Sequence, residues 1–272
     1  MKEISSRENR IFRHALSLKK KKYRDRYSEY LIEGPNLINE ALKEGADIKA
    51  LFIRPDREND GPDSEIFEAE DLKGRTYVLS GTLFDELKDT ETPQGMIAVA
   101  SVGDPGDIDH SLYKGGNCVV LDRLQDPGNI GTILRTADAA GFSLAIFVKG
   151  TADPYSSKVI RSAAGSLFRM PILWVEDYEE LTVLLRKAGK KLVASAMEGE
   201  AAYYDADLSS DCAIVIGNEG NGVSEELLER ADLIVRIPMA GNTESLNAAV
   251  AGGILMYERI RRQNERSITE NP

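Results

Sequence analysis

Histidine and cysteine are scarce in this chain: two of each among 272 residues. Cys118 and Cys212 each open an apolar run, with no CxxC pair and no histidine-rich surroundings. Neither a metal centre nor a disulfide framework is therefore indicated, and both thiols are expected in a core. No apolar stretch of signal-peptide type opens the sequence. The longest run of small apolar residues, 248–257, is interrupted by Gly252 and Gly253 and is too short to span a bilayer. A soluble, cytoplasmic protein without a membrane partner is expected.

Positive charge is also in deficit, with 34 Lys and Arg against 45 Asp and Glu and a net charge of −11. Such a balance argues against indiscriminate polyanion binding by the whole molecule. Residues 1–30 depart from it, with ten Lys or Arg against four Asp or Glu, a local +6 that leaves −17 for the remainder. The run Lys19, Lys20, Lys21, Lys22, with Arg24 and Arg26, is read as a placed contact for phosphate.

Two periods alternate along the chain. Residues 10–18 are amphipathic, a helix opens at Pro35 and runs through 43, and 49–53, 76–79 and 96–100 read as strands. These make a small α/β unit. Residues 101–116 are rich in Gly, Asp and Pro without periodicity and read as a linker. Strands are then predicted at 118–121, 144–148, 172–175, 191–194, 213–216 and 233–237. Helices such as 129–140 and 177–188 lie between them, the latter with Asp177 and Glu180 at capping-box spacing. The pattern is that of an α/β fold, a parallel sheet with helices on both faces, preceded by the smaller α/β domain. The expected division is 1–103, a linker at 104–116, and 117–272. A last helix is predicted over 245–262. Its adjacent glycines cost about 1 kcal/mol each against alanine, which calls for close approach of another backbone, from this chain or from a partner.

Three stretches rich in Gly, Asn and Ser leave apolar runs of the second domain: Asn129-Ile-Gly-Thr-Ile-Leu-Arg135, Gly217-Asn-Glu-Gly-Asn-Gly222 and Ile237-Pro-Met-Ala-Gly-Asn-Thr-Glu-Ser245-Leu-Asn247. Loops at the carboxyl ends of strands hold ligands in open α/β sheets, so the three point to one composite pocket. Neither G-x-G-x-x-G at the first strand-to-helix turn nor a P-loop occurs. The side chains gathered are Asn129, Arg135, Glu219, Ser245 and Asn247, while His14 and His110 lie elsewhere. Such a set suits positioning and charge stabilisation, not imidazole or thiol catalysis. Taken singly, Asn129 and Ser245 read as helix caps, Glu219 as a turn residue and Arg135 as a surface arginine. Only their joint pattern gives the functional reading.

In order and spacing the stretches resemble the three motifs of the SpoU-type (TrmH-like, SPOUT-class) RNA ribose 2′-O-methyltransferases: Asn129-x-Gly-x-x-x-Arg135, Ile216-Gly-Asn-Glu219-Gly-x-Gly222 and Ile237-Pro-Met-x-Gly-x-x-x-Ser245-Leu-Asn247. The likeness spans residues 117–262. The amino-terminal region is similar to the ribosomal-protein-like substrate-binding domain that often precedes them, with Glu33-Gly34-Pro35 and Thr92-Pro93-Gln94-Gly95 at its usual beginning and end.

The resemblance implies a carboxy-terminal trefoil knot, an S-adenosylmethionine pocket within it and a homodimer, with no metal. It implies that backbone groups at Gly217, Ile237 and Leu246 hold the cofactor, with Ser195, Glu219 and Met239 nearby. Arg135 is the family's proposed activating residue. A guanidinium keeps its proton in proteins, which favours clamping of phosphate and stabilisation of an alkoxide over a role as base. Asn129 and Asn247 would orient Arg135 and the nucleotide, Ser245 would bond substrate or Arg135, and Glu219 would fix loop geometry. Lys158 and Arg161, on a helix predicted after Asp153-Pro154, read either as a solvated face or as further RNA contacts, and Gly165-Ser166 beside them matches the family's usual text. The added amino-terminal domain favours large-subunit ribosomal RNA as substrate. Transfer RNA comes second, and a non-catalytic RNA-binding or ribosome-assembly protein of the same fold is the alternative from another class.

Overall fold

The computed structural model describes residues 1–57, 66, 72, 74–103 and 116–270. The linker reading at 104–116, Gly116 apart, and His110 fall outside the described residues. In chain order the elements are β1 (Lys2–Ile4), α1 (Arg10–Ser17), α2 (Lys21–Tyr27), β2 (Glu29–Glu33), α3 (Pro35–Lys43), β3 (Ile48–Ile53), β4 (Thr76–Leu79), α4 (Gly81–Leu87) and β5 (Met96–Ser101). There follow β6 (Cys118–Asp122), α5 (Pro127–Ala139), β7 (Leu144–Val148), α6 (Ser157–Ala163), β8 (Ile172–Val175), α7 (Tyr178–Lys187), β9 (Lys191–Ser195) and β10 (Ala201–Ala202). The chain ends with β11 (Cys212–Gly217), α8 (Glu225–Arg230), β12 (Leu233–Arg236) and α9 (Ala248–Glu270). None of the described helices is long and apolar enough to cross a membrane.

Two compact units form. One comprises residues 1–103 with 153–168, so α6, which the sequence reading assigned to the second domain, packs with the first. Its five strands run β1-β4-β3-β5-β2, parallel except where β5 pairs with β3 and β2. Asn9 caps α1 by accepting the Ile11 amide at 2.9 Å. The amphipathic face of α1 then buries Phe12 and Ala15 among Phe52, Phe84 and Ile97. The two terminal motifs of this domain meet in space. Gly34 has φ +102°, and a Cβ there would lie 2.8 Å from Gln94 Oε1; the Glu33 carboxylate accepts the Asp89 amide at 2.7 Å. The charge run, which showed no apolar period, is helical from Lys21. It ends at Ser28, whose φ of 51° closes the helix in the left-handed region.

The second unit holds seven parallel strands in the order β10-β12-β9-β11-β6-β7-β8. Because strand side chains alternate between faces, Val120, Ile146 and Val215 pack with Leu181 and Leu185 of α7 and Leu227 of α8. Ile216, one residue on from Val215, meets α9 instead. Helices thus cover both faces. Cys118 and Cys212 are buried and free. Burial, as the leading cause, pushes their thiols up to about 12 and about 11, which keeps them inert.

Within the chain, the atoms nearest an added Cβ at the glycine pair of α9 belong to side chains and not to another backbone. A Cβ on Gly252 would stand 2.9 Å from Ile216 Cδ1, a side chain of β11, while one on Gly253 would meet only Thr136 Cγ2 at 3.6 Å. Within a single copy of the chain, before any dimer contact on the 250–257 face, Gly253→Ala is therefore expected to stabilise by about 0.5–1 kcal/mol through helix entropy, and Gly252→Ala to gain little or nothing. Denaturant unfolding of the two variants checks this. A destabilised Gly253→Ala would contradict it.

Candidate functional site

The site is built at the carboxyl ends of β6, β9, β11 and β12. Asp122 ends β6 with its carboxylate fully buried, and three donors satisfy it: Tyr178 Oη at 2.8 Å, the Ser224 amide at 2.8 Å and Arg123 Nε at 3.1 Å. Through Ser224 it ties the loop after β11 to the loop after β6. Arg123 follows with φ 57°, a left-handed conformation costing a non-glycine residue about 1–2 kcal/mol. Its carbonyl accepts Asn218 Nδ2 at 2.9 Å, a second tie between the same loops. Sequence reasoning missed both Asp122 and Asn218. An acid closing an otherwise apolar strand was the available signal for Asp122.

Asp126, not Asn129, caps α5. Its Oδ1 accepts the Asn129 amide at 2.9 Å, and Pro127 occupies the first helical turn, where its missing N–H costs nothing. Asn129 is left free to reach outward. Its Nδ2 donates to Glu219 Oε1 at 3.1 Å and its Oδ1 accepts Asn247 Nδ2 at 2.8 Å. A carboxylate can only accept, so Glu219 fixes the orientation of the Asn129 amide, which in turn fixes that of Asn247. Asn247 Oδ1 then accepts the Ala249 amide at 2.9 Å, so it, and not Ser245, caps α9. That cap starts the helix at 248 rather than 245. One chain of hydrogen bonds thus joins all three motifs.

Glu219 also accepts the amides of Asp126 at 3.0 Å and Gln125 at 3.1 Å. Burial alone would raise its carboxyl, but the donors from Asp126, Asn129 and Gln125 outweigh that and hold it below the usual carboxylate range. Stability from a depressed carboxyl is present above the unfolded value and is lost as pH falls through the folded one. The thermal midpoint of the protein should therefore fall on acidification below the ordinary carboxylate range. Glu219→Gln should be less stable at neutral pH and show a flatter acid limb. Identical acid limbs in the two proteins would contradict this.

Beside this network lies a cavity of about 530 Å³. Gly217, Ile237, Leu246, Ser195, Glu219 and Met239, the six residues expected to face a cofactor, all line it, as does Ser245. Its mouth is partly apolar, with Met197 73% exposed and Met239 and Leu246 more than a third exposed. A volume of this order suits a small-molecule ligand, and the exposed apolar side chains suit one with an apolar face. The loop after β11 is closed on itself, with the Gly222 amide donating to the Asn218 carbonyl at 2.8 Å. Gly217 stands where a Cβ would overlap the Gly222 and Val223 backbone.

Arg135 is set apart from this group. It is exposed on α5, does not line the cavity, and makes no hydrogen bond or ion pair among the described residues. The expected RNA contacts also divide. Lys20, Lys22, Arg26 and Lys158 are exposed. Lys19 donates to the carbonyls of Glu86 and Lys88 at 2.9 and 2.8 Å, Lys21 pairs with Asp25 at 3.1 Å, and Arg161 pairs with Asp89 at 2.8 Å. Arg24 departs furthest from a solvent-facing cation. Its side chain is 11% exposed and its guanidinium grips Asp153 at 2.6 Å and the Leu18 carbonyl at 2.7 Å. His14 bonds Glu29 at 2.5 Å.

Comparison with known proteins gives this arrangement its family. The sequence profile of the SpoU rRNA Methylase family matches residues 116–257, and that of the MRM3-like substrate binding domain matches residues 9–98. The chain is 36% identical over 259 residues to the 23S rRNA (guanosine(2553)-2′-O)-methyltransferase RlmP of Bacillus subtilis, covering 94% of this chain and 98% of that one. It is similar to the AdoMet-bound rRNA methyltransferase of Sinorhizobium meliloti, with a TM-score of 0.84 and 34% identity over 96% of this chain and 97% of the other. The AdoMet complex of the SpoU methyltransferase AviRb from Streptomyces viridochromogenes gives a TM-score of 0.84 and 31% identity over 94% and 99% of the two chains. With its three motifs joined around one cavity and both domains matched, the chain belongs to the SpoU rRNA methylase family.

Proposed function

We propose that this protein methylates a ribose 2′-hydroxyl of large-subunit ribosomal RNA, using S-adenosylmethionine held in the cavity beside Glu219. The observation that carries the reading is the Glu219–Asn129–Asn247 chain, which ties residues from all three motifs together at a cavity of cofactor size. The Bacillus subtilis and Sinorhizobium meliloti relatives act, by name, on ribosomal RNA.

S-adenosylmethionine supplies an electrophilic methyl group when bound. Main-chain groups of Gly217, Ile237 and Leu246 would hold it, with Ser195 and Met239 beside them. The protein's task is to bring a ribose oxygen into line and to stabilise the charge that grows on it, so proximity and electrostatics carry the rate. Arg135 clamps the neighbouring phosphate and stabilises the alkoxide. Ser245 holds the substrate, and Asn129 and Asn247 keep the floor of the site in one geometry.

The same reading takes residues 237–247 as part of a trefoil knot and two copies as a cytoplasmic homodimer. A dimer would cover Val250 and Tyr257 of α9, which are 52% and 53% exposed in the single chain. RNA fractions from a strain lacking the gene, incubated with the protein and methyl-labelled S-adenosylmethionine, test the substrate. Label in the large-subunit RNA supports the proposal, label in tRNA alone replaces its substrate, and label in no fraction favours a non-catalytic binding protein.

A further inference from the structure

Helix α2 is unusual in burying none of its residues. It carries two tyrosines nonetheless, and their rings lie parallel to within 10° with centroids 6.3 Å apart. His14 of α1 extends the row, its ring edge-on to Tyr27 at 4.7 Å. Cations flank both tyrosines: Lys22 Nζ lies 5.1 Å from the Tyr23 ring centre and the Arg26 guanidinium 5.4 Å from that of Tyr27. Tyr27 is 40% exposed, and Lys20, Lys22 and Arg26 are exposed around it.

Tyrosines serving a core would be buried, whereas Tyr23 is half-buried and Tyr27 exposed. We infer that Tyr23, Tyr27 and the flanking cations of α2 form a stacking shelf for unpaired RNA nucleotides. The inference rests on the RNA substrate proposed above and deepens it, by assigning the amino-terminal domain a single-stranded target. Aromatic faces receive bases only when these are unstacked, as in loops and bulges, whereas a duplex hides them. The alternating cations meet the phosphates between the bases. Charge complementarity selects the occupant. Residues 1–30 carry +6 on a chain whose remainder carries −17, so a polyanion is held here and repelled elsewhere.

Fluorescence anisotropy of the full chain with a short labelled oligouridylate, a blunt RNA duplex of equal length and polyglutamate tests the shelf. Tyr23→Leu and Tyr27→Leu should each weaken oligouridylate binding by about 5-fold to 150-fold with an unchanged salt slope. Tyr27→Phe should bind like the wild type, and Lys22→Ala should flatten the salt slope by about 0.7. The duplex should bind more weakly and lose nothing in the tyrosine variants. The shelf is overturned if the wild type ignores oligouridylate, if duplex or polyglutamate binds as tightly, or if the leucine variants bind normally. S-adenosylmethionine affinity and kcat should stay constant in these variants while KM for RNA rises. A wild type that binds oligouridylate yet methylates no RNA would refute the proposed function and leave the shelf standing.

Discussion

Arg135→Ala should reduce methyl transfer by at least about 10²–10³-fold while leaving S-adenosylmethionine affinity within error of the wild type. The size follows from removing a single charge-stabilising donor from a reacting oxygen, which typically costs about that much. The selectivity follows from position: Arg135 is exposed and lines no part of the cavity. Its loss should also leave stability within about 0.5 kcal/mol, as expected of a surface residue with no hydrogen bond or ion pair among the described residues. Arg135→Lys should not rescue the activity, because a compact ammonium lacks the planar fork that grips a phosphate. Single-turnover transfer to RNA and calorimetric titration of cofactor, run on the same preparations, separate the two effects. A variant with normal turnover would show that the guanidinium has no part in the chemistry.

Gly217→Ala should act on the other half of the site. A Cβ at Gly217 would overlap main-chain atoms of Gly222 and Val223. Those atoms cannot swing aside as the end of a side chain could, since the Gly222 amide is bonded to the Asn218 carbonyl at 2.8 Å and the Ser224 amide to buried Asp122 at 2.8 Å. Overpacking of this kind costs about 1–3 kcal/mol or more, so the loop must open and cofactor affinity should fall by about ten-fold to a hundred-fold. Gly220→Ala is the matched control, because its added Cβ would meet only Asn218 Oδ1 at 3.6 Å. Its affinity should change little. Equal behaviour of the two alanine variants would contradict this account of the loop.

Much of the parallel sheet was legible because its strands are short β-branched runs separated by helix-length segments, a pattern with few other solutions. The strands predicted in the second domain formed within a residue or so of their expected limits. Short β10 and β1 were missed, being too brief to show a period. Helix α2 was missed for a different reason. Hydrophobic periodicity signals a helix that buries a face, and this one buries nothing.

At the site, the residue types and their grouping could be read, but which cap each would form could not. Asp126 takes the capping role read for Asn129, and Asn247 takes the one read for Ser245. Competition between neighbouring Asx and Ser side chains for one set of free amides is decided by geometry, and spacing does not record it. Asp122 escaped notice because its value lies in donors distant in sequence, Tyr178 and Ser224. The tie between Arg24 and Asp153 is invisible for the same reason.

Alkaline hydrolysis of ribosomal RNA labelled by this protein tests the chemistry most directly. A ribose whose 2′-oxygen bears a methyl group cannot attack the adjoining phosphate. The account therefore predicts label confined to alkali-resistant dinucleotides, and label released as mononucleotides, the mark of a methylated base, would contradict it.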